Sequence, residues 1–330
     1  MQFDAHMVLL SDVIHESALR IDSLRDFGEF YASLAPVQGR WIFRGHTDAD
    51  WPLESFLYRA TKPDGGCARA EALFIRTFKR KAHHFVNNLP ADDDELEWLA
   101  LMQHYGVPTR LLDFTASPYV ALYFALNKFR LDADATMPEH CAALWAVNRV
   151  TCKGIAARAL NGAKLDGLPE ISHSSKLGDR SLFRACFLRE HGLHFVAPVQ
   201  PFRINKRQFV QQGMFLCPAD VKFSFEVNLV QPDAFHEYVR SGTDPTGSDD
   251  REKVKKQLAT IVRKAVISVS GAKEILPRLV SMNLTSASLF PGLGGYSRSI
   301  LEHYRVLQLM SPFEKNAVGF DALEEFDSLG

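Results

Sequence analysis

Three stretches of the chain set polar side chains among hydrophobic ones: Trp41-Ile42-Phe43-Arg44-Gly45-His46, residues 103–115 from Gln103 to Thr115, and residues 207–215 from Arg207 to Phe215. An arginine placed as Arg44 is has two uses. It pairs with a buried acid, Asp113 being the candidate, or it presents its planar fork to an anion, which a lysine cannot reproduce. Arg110 and Asp113 stand three apart, so on a strand they point to opposite faces and at least one is free for a site. Gln211 and Gln212 can donate and accept hydrogen bonds but cannot act as bases. Thr109 and Thr115 suit a strand, and Gly45 suits a tight turn or a close backbone approach. His104 falls at the C-terminal end of a helix, where the dipole favours it, and Ser117 reads first as a helix cap. His83-His84 has no third ligand at metal spacing, and Gly292, Gly294 and Gly295 follow no strand–helix phosphate pattern, so neither a zinc site nor a phosphate loop is expected.

The elements that must hold these residues follow from periodicity. Residues 19–34 place Leu19, Leu24, Phe27, Phe30, Tyr31 and Leu34 close to helical spacing, and residues 39–44 read as a short strand. A helix is expected over 71–86, and another over 96–105, opened by the acids of 92–95 with Asp92 and Glu95 at capping-box spacing. Gly106 and Pro108 end that helix. Residues 109–115 read as a strand, after which Ser117-Pro118 starts a helix running to about Phe129. Further strands are expected over 141–147, 194–199, 214–217 and 265–270. Glycines break any period between 150 and 200, and residues 242–250 read as a flexible loop.

Composition narrows the classes. The 330 residues are 46% hydrophobic and carry a net charge of −1, which leaves no global electrostatic footprint of nucleic-acid binding. The cysteines Cys67, Cys141, Cys152, Cys186 and Cys217 are odd in number and widely spaced, which argues against a disulfide framework or a cysteine zinc site. The first ten residues do not read as a signal peptide, and no segment approaches eighteen uninterrupted apolar residues. A cytoplasmic protein with no membrane partner is expected.

In this order, Phe43-Arg44-Gly45, residues 103–115, Gln211-Gln212-Gly213-Met214-Phe215 and Leu289-Phe290-Pro291-Gly292-Leu293 resemble the FRG-domain family, named for its Phe-Arg-Gly signature. The resemblance extends from about residue 24 to residue 303. A further resemblance is to arginine-specific ADP-ribosyltransferases. These carry an aromatic-Arg-Gly strand, to which Phe43-Arg44-Gly45 is similar, and a Ser-Thr-Ser strand end before an alanine-rich helix, to which Phe114-Thr115-Ala116-Ser117 is similar. Their later Glu-x-Glu is replaced here by Gln211-Gln212-Gly213, without a carboxylate; Asp113 is the nearest substitute and Glu54 the next.

The resemblance implies an α+β fold with an ADP-ribosyltransferase-like split β-sandwich core of two packed sheets and surrounding helices. It implies one domain over 1–330: a core of about 24–230, a C-terminal strand and helices over 231–310, and a tail over 311–330. The implied activity is NAD-dependent ADP-ribosyl transfer to a macromolecule, RNA, DNA or protein, with NAD as substrate and no metal. Arg44, Asp113, Thr115 and Gln211 would form the catalytic set. Arg44, Gly45, His46, His104, Thr109, Arg110, Ser117, Tyr123 and Gln212 would contact NAD. Such transferases serve as toxins or in defence against phage, which implies an antitoxin or other complex partner. Two further readings stay open, a non-catalytic module that binds nucleotide or nucleic acid, and hydrolysis of NAD without transfer.

Overall fold

A computed structural model describes residues 13–34, 40–61, 66–131, 140–172, 174–229 and 248–309. The strands are β1 (Leu19–Ile21), β2 (Trp41–His46), β3 (Leu112–Thr115), β4 (Ala142–Asn148), β5 (Val196–Val199), β6 (Gly213–Pro218) and β7 (Val262–Ile267). The helices that matter below are α1 (Leu24–Ser33), α2 (Cys67–Lys81), α3 (Glu95–His104), α4 (Pro118–Leu126), α5 (Arg149–Ala163), α6 (Lys206–Val210), α7 (Val269–Ser281), α8 (Ser286–Leu289) and α9 (Leu293–Leu309).

Strand β4 shows why the sheet is covered on both faces. Ala143, Trp145 and Val147 join a core with Leu99 and Met102 of α3 and with Ile155 of α5. The alternate residues Ala142, Leu144 and Ala146 join a second core with Phe27 of α1, Leu122 of α4 and Ile275 of α7. Period-two alternation with apolar side chains on both sides is what a strand buried between two helical layers requires. The architecture is therefore α+β.

All seven strands lie in one mixed sheet, in the order β1-β7-β4-β2-β3-β6-β5, with β1 and β7 parallel and the rest antiparallel. Two packed sheets, as the resemblance implies, are not what forms. The sheet is nonetheless almost divided. β2 and β4 pair along six residues, whereas β2 meets β3 at the single register pair Phe43↔Thr115. Past that pair β2 and β3 form no further register pair.

Three local expectations are corrected. Leu19–Ile21 is a strand, because it finds a parallel partner in Ala265–Ile267; pairing with a strand far along the chain overrides helical spacing over three residues. The cap of α3 is Asp94, whose side chain accepts from the Glu97 backbone N–H, so Asp92 and Glu95 do not form the expected box. The helix after Ser117 stops at Leu126, short of Phe129. Of the expected loop at 242–250, residues 248–250 open the helix Ser248–Ile261 and the remainder lies outside the described residues. No helix among the described residues is long and apolar enough to cross a membrane.

Candidate functional site

Arg44 sits where the two strands part. Its Nε donates to His46 Nε2 at 2.9 Å, and its Nη1 donates to the backbone oxygen of Asp113 at 2.8 Å. Of the two uses open to Arg44, pairing with the Asp113 carboxylate is replaced by this bond to its main chain. Nη2 has no partner among the described residues, so one arm of the fork is left to the cleft.

His46 sets the direction of that fork. Its Nε2 accepts from Arg44 and its Nδ1 faces the Trp51 oxygen at 3.3 Å, which fixes a neutral ring protonated on Nδ1. Burial, and then the Arg44 charge, push its pKa down to about 3. At 6% exposure it does not line the cleft, and its bond holds the Arg44 guanidinium. The unfolded chain takes up a proton near pH 6.5 and the folded one only near 3. Stability from this group is therefore complete above pH 6.5 and lost as the pH falls, by about 1.4 kcal/mol per pH unit in that window. Urea titrations at pH 7 and pH 5 should show His46→Gln losing less stability than the wild type over that interval. Equal losses would mean that His46 is not the group held neutral.

The cleft beside Arg44 has a volume of about 270 Å³. Asp113, on its wall, accepts from Gln103 Nε2 at 2.7 Å, and the Thr109 hydroxyl donates to Gln103 Oε1. These bonds explain the spacing of the long polar stretch. Thr109 is fully buried and turns the Gln103 amide so that its nitrogen meets the carboxylate. Thr109 is thus linked to the site through Gln103.

Thr115 closes the other side. Its hydroxyl donates to the Gln211 oxygen at 2.7 Å and accepts from the Ser117 N–H at 3.0 Å. Gln211 Nε2 in turn donates to the Leu289 oxygen at 2.9 Å, so its amide is engaged by α8. Ser117 caps α4 by accepting from the Val120 N–H and does not line the cleft. Gly45, which does, lies directly under α4: a Cβ there would stand 2.0 Å from the Ala121 oxygen.

Arg110 and Tyr123 lie away from the cleft. Arg110 is 4% exposed, forms a two-pronged ion pair with Glu71, and donates to the oxygens of Phe187, Pro218 and Ala219. Its donors are spent on structure. The Tyr123 hydroxyl bonds Glu302 and Ser286 at 2.7 Å each, and burial with Glu302 pushes its pKa up to about 12. Gln212 is exposed, with a left-handed φ of 50°, and meets the site only through its oxygen, which accepts from the Ala116 N–H. His104 does line the cleft, and burial followed by the Arg207 charge lowers its pKa.

Two cleft residues escape the sequence reading. Arg207 lies inside the third polar stretch, yet nothing in its spacing marks it as lining the same cleft as Arg44. Its guanidinium lies 4.7 Å from the centre of the Phe290 ring, with Arg298 at 4.6 Å, and donates to no described residue. Burial lowers its pKa, and the Asp113 charge opposes this. Gln208 lines the cleft at 8% exposure, and neither its Nε2 nor its Oε1 has a hydrogen-bond partner among the described residues. Such an unpaired buried amide costs about 1–3 kcal/mol.

No group of three metal-binding side chains occurs among the described residues. Two guanidinium groups with unused donors, one carboxylate and an unpaired amide instead suit an anionic, hydrogen-bonding ligand. No curated protein and no solved structure matches the chain. Residues 39–134, which carry Arg44, Gln103, Thr109 and Asp113, match the family model of the FRG domain.

Proposed function

We propose that the cleft binds the pyrophosphate of NAD and that the chain transfers ADP-ribose to a macromolecular acceptor, RNA, DNA or protein. The observation that carries this reading is the pair Arg44 and Arg207, which line one cleft with donors unused among the described residues, where Asp113 is the one carboxylate among those residues. Arg44 stands in the gap of a nearly divided sheet, an arrangement in keeping with an ADP-ribosyltransferase-like core. In the reaction, the bond between ribose C1′ and the nicotinamide nitrogen breaks. Its electron pair neutralises the pyridinium, and positive charge develops on the ribose, as in glycoside hydrolysis. The acceptor nucleophile then bonds to C1′ and gives up its proton. In this reading Asp113, which accepts from Gln103, stabilises the ribose cation and takes that proton.

Calorimetry with NAD and ADP-ribose tests the binding step. Arg44→Ala and Arg207→Ala should each weaken affinity by about 1.5–3 kcal/mol, the range for charge-assisted bonds, while the folded domain persists. Arg44→Lys should recover only part, because the fork is lost. Wild-type affinity in both alanine variants would place the nucleotide elsewhere. Chemistry is tested by nicotinamide release with a panel of RNA, DNA and protein acceptors. Asp113→Asn should slow release ~100-fold at unchanged NAD affinity, the signature of a group acting in the transition state.

A second reading, nucleotide binding without turnover, is favoured by one observation. Gln211, at the position of the transferase glutamate, has its amide tied to Leu289. Absence of nicotinamide release with every acceptor, alongside normal NAD binding, would decide for it.

A further inference from the structure

We infer that Gln208 is a specificity-determining residue of the cleft, reading a flat ring that presents a hydrogen-bond donor beside an acceptor. This rests on the proposed nucleotide reading. Asn205 Oδ1 accepts from the Gln208 N–H at 2.8 Å, which fixes the backbone of α6 at this point. Gly213, facing it, leaves room for the side chain, since a Cβ there would come 3.0 Å from Gln208 Cγ. Backbone and stem are therefore held, yet the amide itself meets nothing that satisfies it.

A buried amide with both functions free has a definite complement. It needs an acceptor for its N–H and a donor for its oxygen, side by side in one plane. A carboxamide offers this edge, and so does the amino edge of adenine, which glutamine contacts through two bonds in nucleic-acid recognition. Both are present in NAD, at opposite ends. Phe124, Met214 and Phe215 line the same cleft and supply apolar surface against which such a ring can lie. Arg44 and Arg207 bind charge and cannot tell one nucleotide from another, so selection falls to Gln208.

The experiment measures affinities of wild type and Gln208→Leu for four ligands. These are NAD, ADP-ribose, nicotinic acid adenine dinucleotide (carboxamide replaced by carboxylate) and nicotinamide hypoxanthine dinucleotide (amino donor replaced by carbonyl). The wild type should prefer NAD over one altered dinucleotide by at least roughly tenfold, and Gln208→Leu should reduce that preference to about twofold or less. If the nicotinic acid analogue is the weak one, the carboxamide is read, and ADP-ribose should bind both proteins alike. If the hypoxanthine analogue is the weak one, adenine is read, and ADP-ribose should weaken together with NAD. Removing an unsatisfied amide should also leave the ligand-free melting temperature unchanged or higher, which removal of a structural bond would not. Gln208→Glu, close in shape but without the donor, carries the same test should the leucine variant fail to fold. A wild type indifferent to both changes, or a variant that keeps the preference, overturns the inference alone. A wild type that binds none of the four overturns the cleft reading with it.

Discussion

Arg110→Met lowers stability by about 3–5 kcal/mol, the expected cost of leaving one partner of a buried ion pair uncompensated. The cost falls on two sides. Glu71 is left as a buried carboxylate without its counter-charge, and the oxygens of Phe187, Pro218 and Ala219 lose a shared donor. The double variant Arg110→Met/Glu71→Leu removes the stranded charge, though not the stranded carbonyls, and should recover at least half of the loss. Urea denaturation of the wild type, both single variants and the double variant measures this as a cycle. Additive losses in the double variant would show that the pair does not act as a unit. The same proteins separate structure from ligand binding. Because Arg110 lies outside the cleft, the folded double variant should bind NAD as the wild type does; a lost affinity would restore Arg110 to the site.

Gly45→Ala should cost about 3 kcal/mol or more, the upper end for overpacking, because the new methyl meets main chain and not a flexible side chain. Its carbon would stand 2.0 Å from the Ala121 oxygen and 2.5 Å from the Ala125 nitrogen, so α4 must move as a body. Ala121 and Phe124 line the cleft, and the shift would disturb it as well. Gly28→Ala is the control. Gly28 lies inside α1 with nothing within 4 Å of an added carbon, and alanine there should stabilise by about 0.5–1 kcal/mol through helix propensity. Thermal melts of the two variants should move in opposite directions. If Gly45→Ala melts with the wild type, the contact between β2 and α4 is looser than a 2.0 Å approach to the Ala121 oxygen requires.

Local chemistry was legible in the sequence where it acts over a few residues. Ser117-Pro118 caps a helix as read, since one hydroxyl and one ring act on their immediate neighbours. Gly106 ends α3 with a φ of 81°, the left-handed turn that glycine permits. The continuous apolar run of 141–147 is a buried strand, and the three polar stretches do meet, at Arg44, Asp113, Thr115 and Gln211. The strand expected over 109–115 starts only at Leu112, so strand spacing does not account for Arg110; the structure puts Arg110 in the core and Asp113 at the cleft.

Only the tertiary structure decided which polar side chains are spent and which are free. Thr109 and Gln103 are six residues apart across a turn, Tyr123 finds its partners 163 and 179 residues away, and Glu71 reaches Arg110 across 39. Nothing in local periodicity encodes such pairings, because they depend on how helices settle on the sheet. The same holds for Arg207 and Gln208, which the sequence alone leaves undistinguished from other residues of a short helix. Packing of α6 against β6 buries the Gln208 amide without a partner, and the ring of Phe290 holds the Arg207 guanidinium beside the cleft. Residue type states what a side chain can bond to; burial and long-range contact determine whether that capacity is already used.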